Sequence, residues 1–405
     1  MNMTRRTFLQ SAAVFSAMGF APRFLGQAAA ALPVITGFND DKVLVVVQLG
    51  GGNDGLNTVV PFGQDAYYRA RPKIGLRDND LIKLNDGLAL NAHLKPLMRL
   101  YDNAELAIVQ GVGYPNPDRS HFRSMEIWHT ASDADTFYGH GWIGRYFDNT
   151  CGGSARPQAG LAIDNERPQA FDCECGVGVA TDNPSSFGWQ PGPTADTESA
   201  FASINAPVPS GNPALDFLRH TTQNAVQSSA EVQSAAATGG VKQLAAQPAR
   251  SKQLDLVAGL IRGGLATRVY YVSIGGFDTH AGQVDRHGRL LSGVASALSD
   301  FQAQLERDGT ADRVLTMVFS EFGRRVEENA SGGTDHGTAA PMFLLGKHVN
   351  AGLHGAYPSL ETLDRGDLIH TVDFRRVYAS VLQGWFKADA APILHGQFDP
   401  LPLIV

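Results

Sequence analysis

Cysteine is scarce in this chain: there are three in 405 residues, and Cys151, Cys173 and Cys175 fall in one stretch. That excludes a disulfide-stapled small domain, and Cys173-Glu174-Cys175 lacks the second pair and the wider spacing of a structural zinc site. In an oxidising compartment Cys151 could pair with Cys173 or with Cys175, leaving one thiol over. Charge is also sparse, at 18% of residues, and its balance is acidic, with a net −7, which argues against nucleic acid as a partner. After the first thirty residues no apolar run approaches the roughly twenty residues needed to cross a bilayer, so no membrane span is expected in the mature chain. A Gly-x-Ser-x-Gly elbow is missing around Ser120, which weighs against a metal-independent serine esterase.

What is present begins at the N-terminus. Thr4-Arg5-Arg6-Thr7-Phe8-Leu9 leads into an uncharged apolar stretch, Ser11 to Ala21, and small residues at Ala28, Ala29 and Ala30. This is the layout of a twin-arginine export signal over residues 1–30, with cleavage near the alanines. Its removal takes away three arginines and no acid, moving the net charge from −7 to −10. The expected destination is the periplasm or the exterior, reached through the twin-arginine translocation machinery. That route carries folded proteins and suits a chain that takes up a metal before it leaves.

The mature chain, 31–405, alternates strand and helix signals. Val43 to Leu49 is a continuous β-branched run, the mark of a strand buried on both faces. Leu94, Leu97, Met98 and Tyr101 recur at helical spacing, and Leu106 to Gln110 reads as the next strand. Later come strands at Val269 to Ile274, Val314 to Phe319 and Met342 to Leu345. A helix lies along Leu290, Leu291, Val294, Leu298, Phe301 and Leu305, and a last one starts at Asp373 as N-cap. The fold class expected is α/β, a mostly parallel sheet with helices on both faces. Between the halves, from about 151 to 247, Gly, Pro, Ser, Ala and Gln dominate, which reads as an inserted cap. Within it, Gln223 to Gln247 is a helix broken at Gly239-Gly240 or a linker.

Ligands in such a sheet gather beyond the carboxyl ends of the strands. Three strands here end in acids: Asp54 after the first, Asp278 with His280 after the Val269 strand, and Glu321 with Arg324 after the Val314 strand. A glycine loop adds Asp335 and His336. Carboxylates brought together repel unless cations lie between them, and carboxylate plus imidazole suits zinc or manganese, carboxylate alone magnesium or calcium. Asp54, Asp278, His280, Glu321 and His336 are therefore the expected ligands of one or two divalent ions. Ser120, at the start of a helical stretch, is placed as a nucleophile, with Arg119, Arg123 and Arg324 available for the oxygens of an anionic ester. Each has a plainer role open to it: Ser120 as an N-cap, Asp54 as a turn acid.

The segments LGGGNDGLNTVVP (Leu49 to Pro61), SHF (Ser120 to Phe122), GGFDTHAGQ (Gly275 to Gln283), SEFGR (Ser320 to Arg324) and GGTDHG (Gly332 to Gly337) resemble the domain-of-unknown-function 1501 family (DUF1501). That family is similar in turn to the alkaline phosphatase, sulfatase and cofactor-independent phosphoglycerate mutase superfamily. The resemblance implies an alkaline-phosphatase-like fold, with Asp54 on a metal, Ser120 as nucleophile, and Asp278, His280 and His336 on a metal. Two departures stand out. Asp278 and His280 are two apart where the superfamily has four, and its later Asp-His pair is here Glu321-Phe322. A Cys-x-Pro-x-Arg sulfatase motif is also absent. The reading is an exported metal-dependent hydrolase of phosphate or sulfate esters. Its rival is a noncatalytic binding protein on a degenerate phosphatase-like fold.

The export signal acts through its arginine pair and not through positive charge alone. Replacing Arg5 and Arg6 by Lys should leave precursor in the cytoplasm on cell fractionation; unchanged export would assign another pathway.

Overall fold

A computed structural model describes residues 41–150, 156–174, 176–188, 195–206, 210–241 and 252–405. The expected export signal lies outside the described residues, as do Cys151 and Cys175 and with them the expected pairing of Cys151 with Cys173 or Cys175. The chain divides into two compact units, one holding residues 190–226 and the other the remaining described residues.

The larger unit is built on a nine-stranded sheet. In chain order its strands are β1 (Val43–Leu49), β2 (Leu106–Gly113), β3 (Gly160–Ala162), β4 (Val179–Ala180), β5 (Val269–Ile274), β6 (Val314–Phe319), β7 (Ala340–Leu345), β8 (Gly352–His354) and β9 (Val372–Asp373). They lie in the order β8-β2-β7-β6-β1-β5-β3-β4, with β9 also on β2. All pairings are parallel except those of β7, which runs antiparallel to both β2 and β6. The run VLVVVQL forms β1 because every one of its residues is buried, as a strand covered on both faces requires.

Side chains alternate between the two faces. Leu44, Val46, Tyr271, Met317 and Leu344 meet α1 (His121–Thr130), α2 (Trp142–Thr150) and α7 (Phe374–Ala379, continued by a π-helical turn through Trp385). Val45, Val47, Tyr270, Val272 and Val318 pack with α5 (Lys252–Arg262) and α6 (Gln283–Arg307). Two further helices are α3 (Ala195–Ile204) and α4 (Pro213–Thr238). Asp373 caps α7 as expected, accepting from the Arg375 amide.

Some sequence expectations shift. The helix read through Leu94 and Tyr101 splits into a 3-10 segment, Ala92–Leu97, and a short α-helix, Met98–Asp102. Pro96 lies inside the first piece and has no N–H to donate to a longer-range ladder. The stretch 151–247 supplies β3 and β4 to the main sheet; strands of three and two residues are too short to show as apolar runs. Its alanine-rich part is helical to Thr238 and ends at Gly239. A Cβ on Gly239 would lie 1.8 Å from the Gly259 carbonyl oxygen of α5, so only glycine allows that approach. Among the described residues no helix is long and apolar enough to cross a membrane.

Burial pushes the imidazole of His287, which bonds Asn53 Oδ1 at 2.9 Å, down from 6.5 to about 4. The unfolded chain therefore takes up a proton between those values that the folded chain does not, and stability is lost as pH falls from about 6.5 towards about 4. His287→Gln should remove one proton from that dependence, measured by urea unfolding across the window; an unchanged slope would contradict a neutral buried His287.

Candidate metal and ester site

Because β7 runs antiparallel to β6, the long connection between them stays at the edge where β1, β5 and β6 end. Glu321, Arg324, Asp335 and His336 are thereby delivered to the same rim as Gly50–Asp54 and Gly275–His280. The β1 loop passes between its neighbours only as glycine. A Cβ on Gly51, at φ 117°, would sit 2.4 Å from the Asp278 amide nitrogen, and one on Gly52 2.4 Å from the Phe322 ring. The Gly51 N–H donates to Glu321 Oε1 at 2.8 Å, and that of Asn53 to Ser320 Oγ at 2.9 Å.

The Arg324 side chain is fully buried and ties three loops. Nε donates to the Gly52 carbonyl at 2.7 Å and Nη1 to that of Thr334 at 2.9 Å. Nη2 reaches the Gly51 and Phe277 carbonyls and Asp278 Oδ1, the last at 2.6 Å. The expectation that Arg324 holds substrate oxygens is corrected: its donors are spent on the protein. It positions Asp278 instead. Burial would raise that carboxyl, but the hydrogen bond and the charge of Arg324 lead the effects that hold it down at about 2.

Two imidazoles converge on Asp278 Oδ1: His280 Nε2 at 3.0 Å and His336 Nε2 at 3.1 Å, with the two nitrogens 3.0 Å from each other. Their far sides are fixed. His336 Nδ1 lies 2.9 Å from the Arg119 carbonyl, which can only accept, so this nitrogen carries the proton and a neutral ring keeps its lone pair on Nε2. His280 Nδ1 lies 3.0 Å from Asp335 Oδ1, whose carboxyl is held below its usual range by hydrogen bonds from His280 and Asn329. Two lone pairs facing each other at such a distance repel unless a proton or a cation lies between them. Histidines oriented by a carboxylate and a carbonyl are what metal sites use.

His121 was not among the expected ligands, although it adjoins Ser120. As the first residue of α1 it bonds Glu321 Oε1 through Nδ1 at 2.9 Å and places Nε2 3.7 Å from Asp278 Oδ2. Donor atoms of His121, Asp278 and His336 lie within 4.8 Å of one another. The buried Glu321 thus acts on His121 and the Gly51 amide. Phe322, where the resemblance leads one to expect an imidazole, is an apolar wall with ring centroids 4.9 Å from His121 and 4.7 Å from His336.

Two other expected residues lie apart from this cluster. Asp54, fully buried, pairs with the equally buried Arg71 at 2.7 Å and accepts from the Gln283 amide and, at 3.4 Å, from the Asn57 N–H. Burial would raise its pKa, but the charge of Arg71, helped by hydrogen bonds from Arg71 and Gln283, outweighs that and holds the carboxyl low. With Arg71 already neutralising it, Asp54 has no need of a metal. Arg123 clamps the loop after α1, bonding the carbonyls of Asp133, Ala134 and Thr136, pairing with Glu126 at 2.8 Å and lying 3.9 Å over the Phe137 ring. Ser120 occupies the N-cap position of α1, but its side chain makes no capping bond. It lines an open pocket of about 330 Å³ with Asp118, Arg119, Thr338 and Asp367. Its neighbours Arg119 and His121 both reach the cluster.

A family model described as a protein of unknown function, DUF1501, matches residues 107–393. The chain belongs to the DUF1501 family. The match takes in Ser120, the GGFDTHAGQ and SEFGR segments and the His336 loop, so the cluster of this DUF1501 protein is drawn from matched residues, while the β1 glycine loop precedes them. Among curated proteins none matches the sequence. Among solved structures, the lipoteichoic acid synthase LtaP from Listeria monocytogenes is similar at 10% identity, TM-score 0.35, over 78% of this chain and 66% of that one. Ps i-CgsB is similar at 10% identity, TM-score 0.36, over 88% and 72%. A protein in the alkaline phosphatase superfamily from Vibrio parahaemolyticus is similar at 11%, TM-score 0.33, over 78% and 62%. The DUF1501 chain thus spans about two thirds of the length of the first of these. Likenesses this distant fix no residue roles.

Arg324→Ala should destabilise the protein by on the order of 3 kcal/mol, since it strips buried carbonyls of their donor and leaves Asp278 uncompensated. Arg324→Lys should recover only part, because an ammonium cannot span the three loops. Urea unfolding measures both, and a loss below about 0.5 kcal/mol for the alanine variant would contradict a tying role.

Proposed function

We propose that this DUF1501 protein is an exported hydrolase of phosphate or sulfate esters that uses a divalent ion held by Asp278, His280 and His336, with Ser120 as nucleophile. The observation that carries the reading is the convergence of two imidazole Nε2 atoms and one carboxylate oxygen, all about 3 Å from one another, with each imidazole fixed through Nδ1. The donor set fits a divalent ion: two imidazoles and a carboxylate suit zinc or manganese better than magnesium or calcium. When bound, the ion would polarise the ester and favour the serine alkoxide.

The chain's own residues have definable parts. Ser120 Oγ attacks the phosphorus or sulfur, the bond to the alcohol oxygen breaks, and water then hydrolyses the serine ester; the N-terminus of α1 favours the serine alkoxide before attack. His121, held through Nδ1 by Glu321, keeps Nε2 turned to Asp278 and, as the residue next to Ser120 in the chain, is assigned to receive the serine proton. Arg119, paired with Asp367 at 3.1 Å and partly exposed, is the guanidinium beside Ser120 that can meet the ester oxygens in place of Arg123.

The reading of a noncatalytic binding protein has one observation in its favour. The Arg324 guanidinium lies 2.6 Å from Asp278 Oδ1, the oxygen on which the imidazoles converge, and a fixed cation there lowers the affinity for a second one. Assay of the mature protein with 4-nitrophenyl phosphate and 4-nitrophenyl sulfate, with zinc, manganese, magnesium or calcium added, separates the two. Hydrolysis should require metal and fall about a thousandfold or more in Ser120→Ala. No turnover with any metal would favour the binding protein, and turnover unaffected by Ser120→Ala would assign another nucleophile.

A further inference from the structure

A second cavity, of about 480 Å³, opens at the carboxyl ends of β1, β5 and β3, and none of its lining residues belongs to the Asp278 cluster. Its floor is a closed chain of uncharged polar groups. The Tyr271 hydroxyl donates to Gln48 Oε1, and His129 Nε2 lies 2.9 Å from the same hydroxyl and 3.3 Å from the same Oε1. Since the phenol has spent its one proton on Gln48, His129 Nε2 must be the donor to it, a role a neutral imidazole can fill. Burial agrees, pushing that ring down to about 4. All three side chains are more than nine-tenths buried.

This chain fixes Gln48 with its oxygen inward and leaves Nε2, with two N–H donors, making no hydrogen bond among the described residues. Ser273, partly exposed on β5, adds a hydroxyl to the same cavity, and Asp164, Asn165 and Glu166 stand at its mouth. Of the lining residues only Ala162 and Pro168 are aliphatic. The one guanidinium is committed, since Arg167 bonds the Phe171 and Val177 carbonyls and pairs with Asp172 at 2.5 Å. An anion would find no available cation and would meet Asp164 and Glu166. An apolar ligand would strand the Gln48 amide. A hydroxyl-rich ligand matches both the fixed donors of the floor and the carboxylate acceptors of the mouth.

We infer that this cavity is a binding site for an uncharged polyhydroxyl group of the kind a sugar ring carries. Buried uncharged side chains locked by one another are preorganised donors and acceptors, the arrangement that recognises hydroxyls in fixed positions. Gln48 is three residues from Gly51, whose amide donates to Glu321, so the cavity and the Asp278 cluster are both served by β1 and the loop after it. The site does not depend on ester hydrolysis: a protein that only binds would use it equally.

The test is isothermal titration calorimetry of the mature protein with galactose, N-acetylglucosamine, cellobiose and lactose, and with inorganic phosphate as the anionic control. At least one sugar should bind saturably, and Gln48→Met should weaken it about tenfold, the loss of one good hydrogen bond. Gln48 is buried, so circular dichroism should accompany that variant, and Ser273→Ala, at a partly exposed position, should weaken the same sugar severalfold. Asp278→Asn should leave sugar binding unchanged whatever it does to hydrolysis, which keeps a failure of the ester reading separate from a failure of this one. No saturable binding of any of the sugars, binding indifferent to both cavity variants, or phosphate displacing the bound sugar would overturn the inference.

Discussion

The rim of this protein depends on one buried guanidinium. Arg324 is anchored on the segment that leaves β6, and its donors reach the loops after β1 and β5 and the glycine loop before β7. Each loop is glycine-bearing and irregular, and none has a ladder of its own to hold it. A planar fork satisfies several carbonyls at once and still donates a hydrogen bond to the Asp278 carboxylate, a span that a lysine could not cover. The position of Asp278, and through it the approach of His280 and His336, follows from that fork.

The antiparallel strand β7 is the second constraint. Had β6 led into a right-handed crossover to a parallel neighbour, the chain would have left the carboxyl edge at once, and Asp335 and His336 would have ended far from Asp278. Returning beside β6 instead, it keeps residues 320–339 at that edge. Residues nearly sixty apart in sequence, Asp278 and His336, thereby come within 3.1 Å. His121 arrives by a different route, from the loop after β2, and Glu321 holds it in place from the buried side.

Much of this was legible beforehand. Central strands buried on both faces are written as continuous β-branched runs, so β1, β5 and β6 could be read to the residue. The acids at their ends followed from the topology. Asp54 was misread because the sequence shows a strand-end acid without showing what neutralises it; Arg71, seventeen residues on, is equally buried and takes the place of a cation. Arg123 and Arg324 were misread for a related reason, since a guanidinium that satisfies carbonyls looks the same in sequence as one that meets a ligand. His121 went unnamed although it adjoins Ser120, because nothing in SHF shows which side of the helix start faces Asp278. The short strands β3 and β4 carry no periodicity at their length, and their stretch read as an insertion or cap.

The central claim is that the fork of Arg324 organises a cation site at Asp278, His280 and His336. Anomalous diffraction from crystals grown with zinc tests it most directly. The account predicts a single peak about 2.0 to 2.2 Å from the Nε2 atoms of His280 and His336 and from a carboxylate oxygen of Asp278, with Arg324 still bonded to the Gly52 and Thr334 carbonyls. No peak there at saturating zinc, with Arg324 as the sole cation on Asp278, would contradict it.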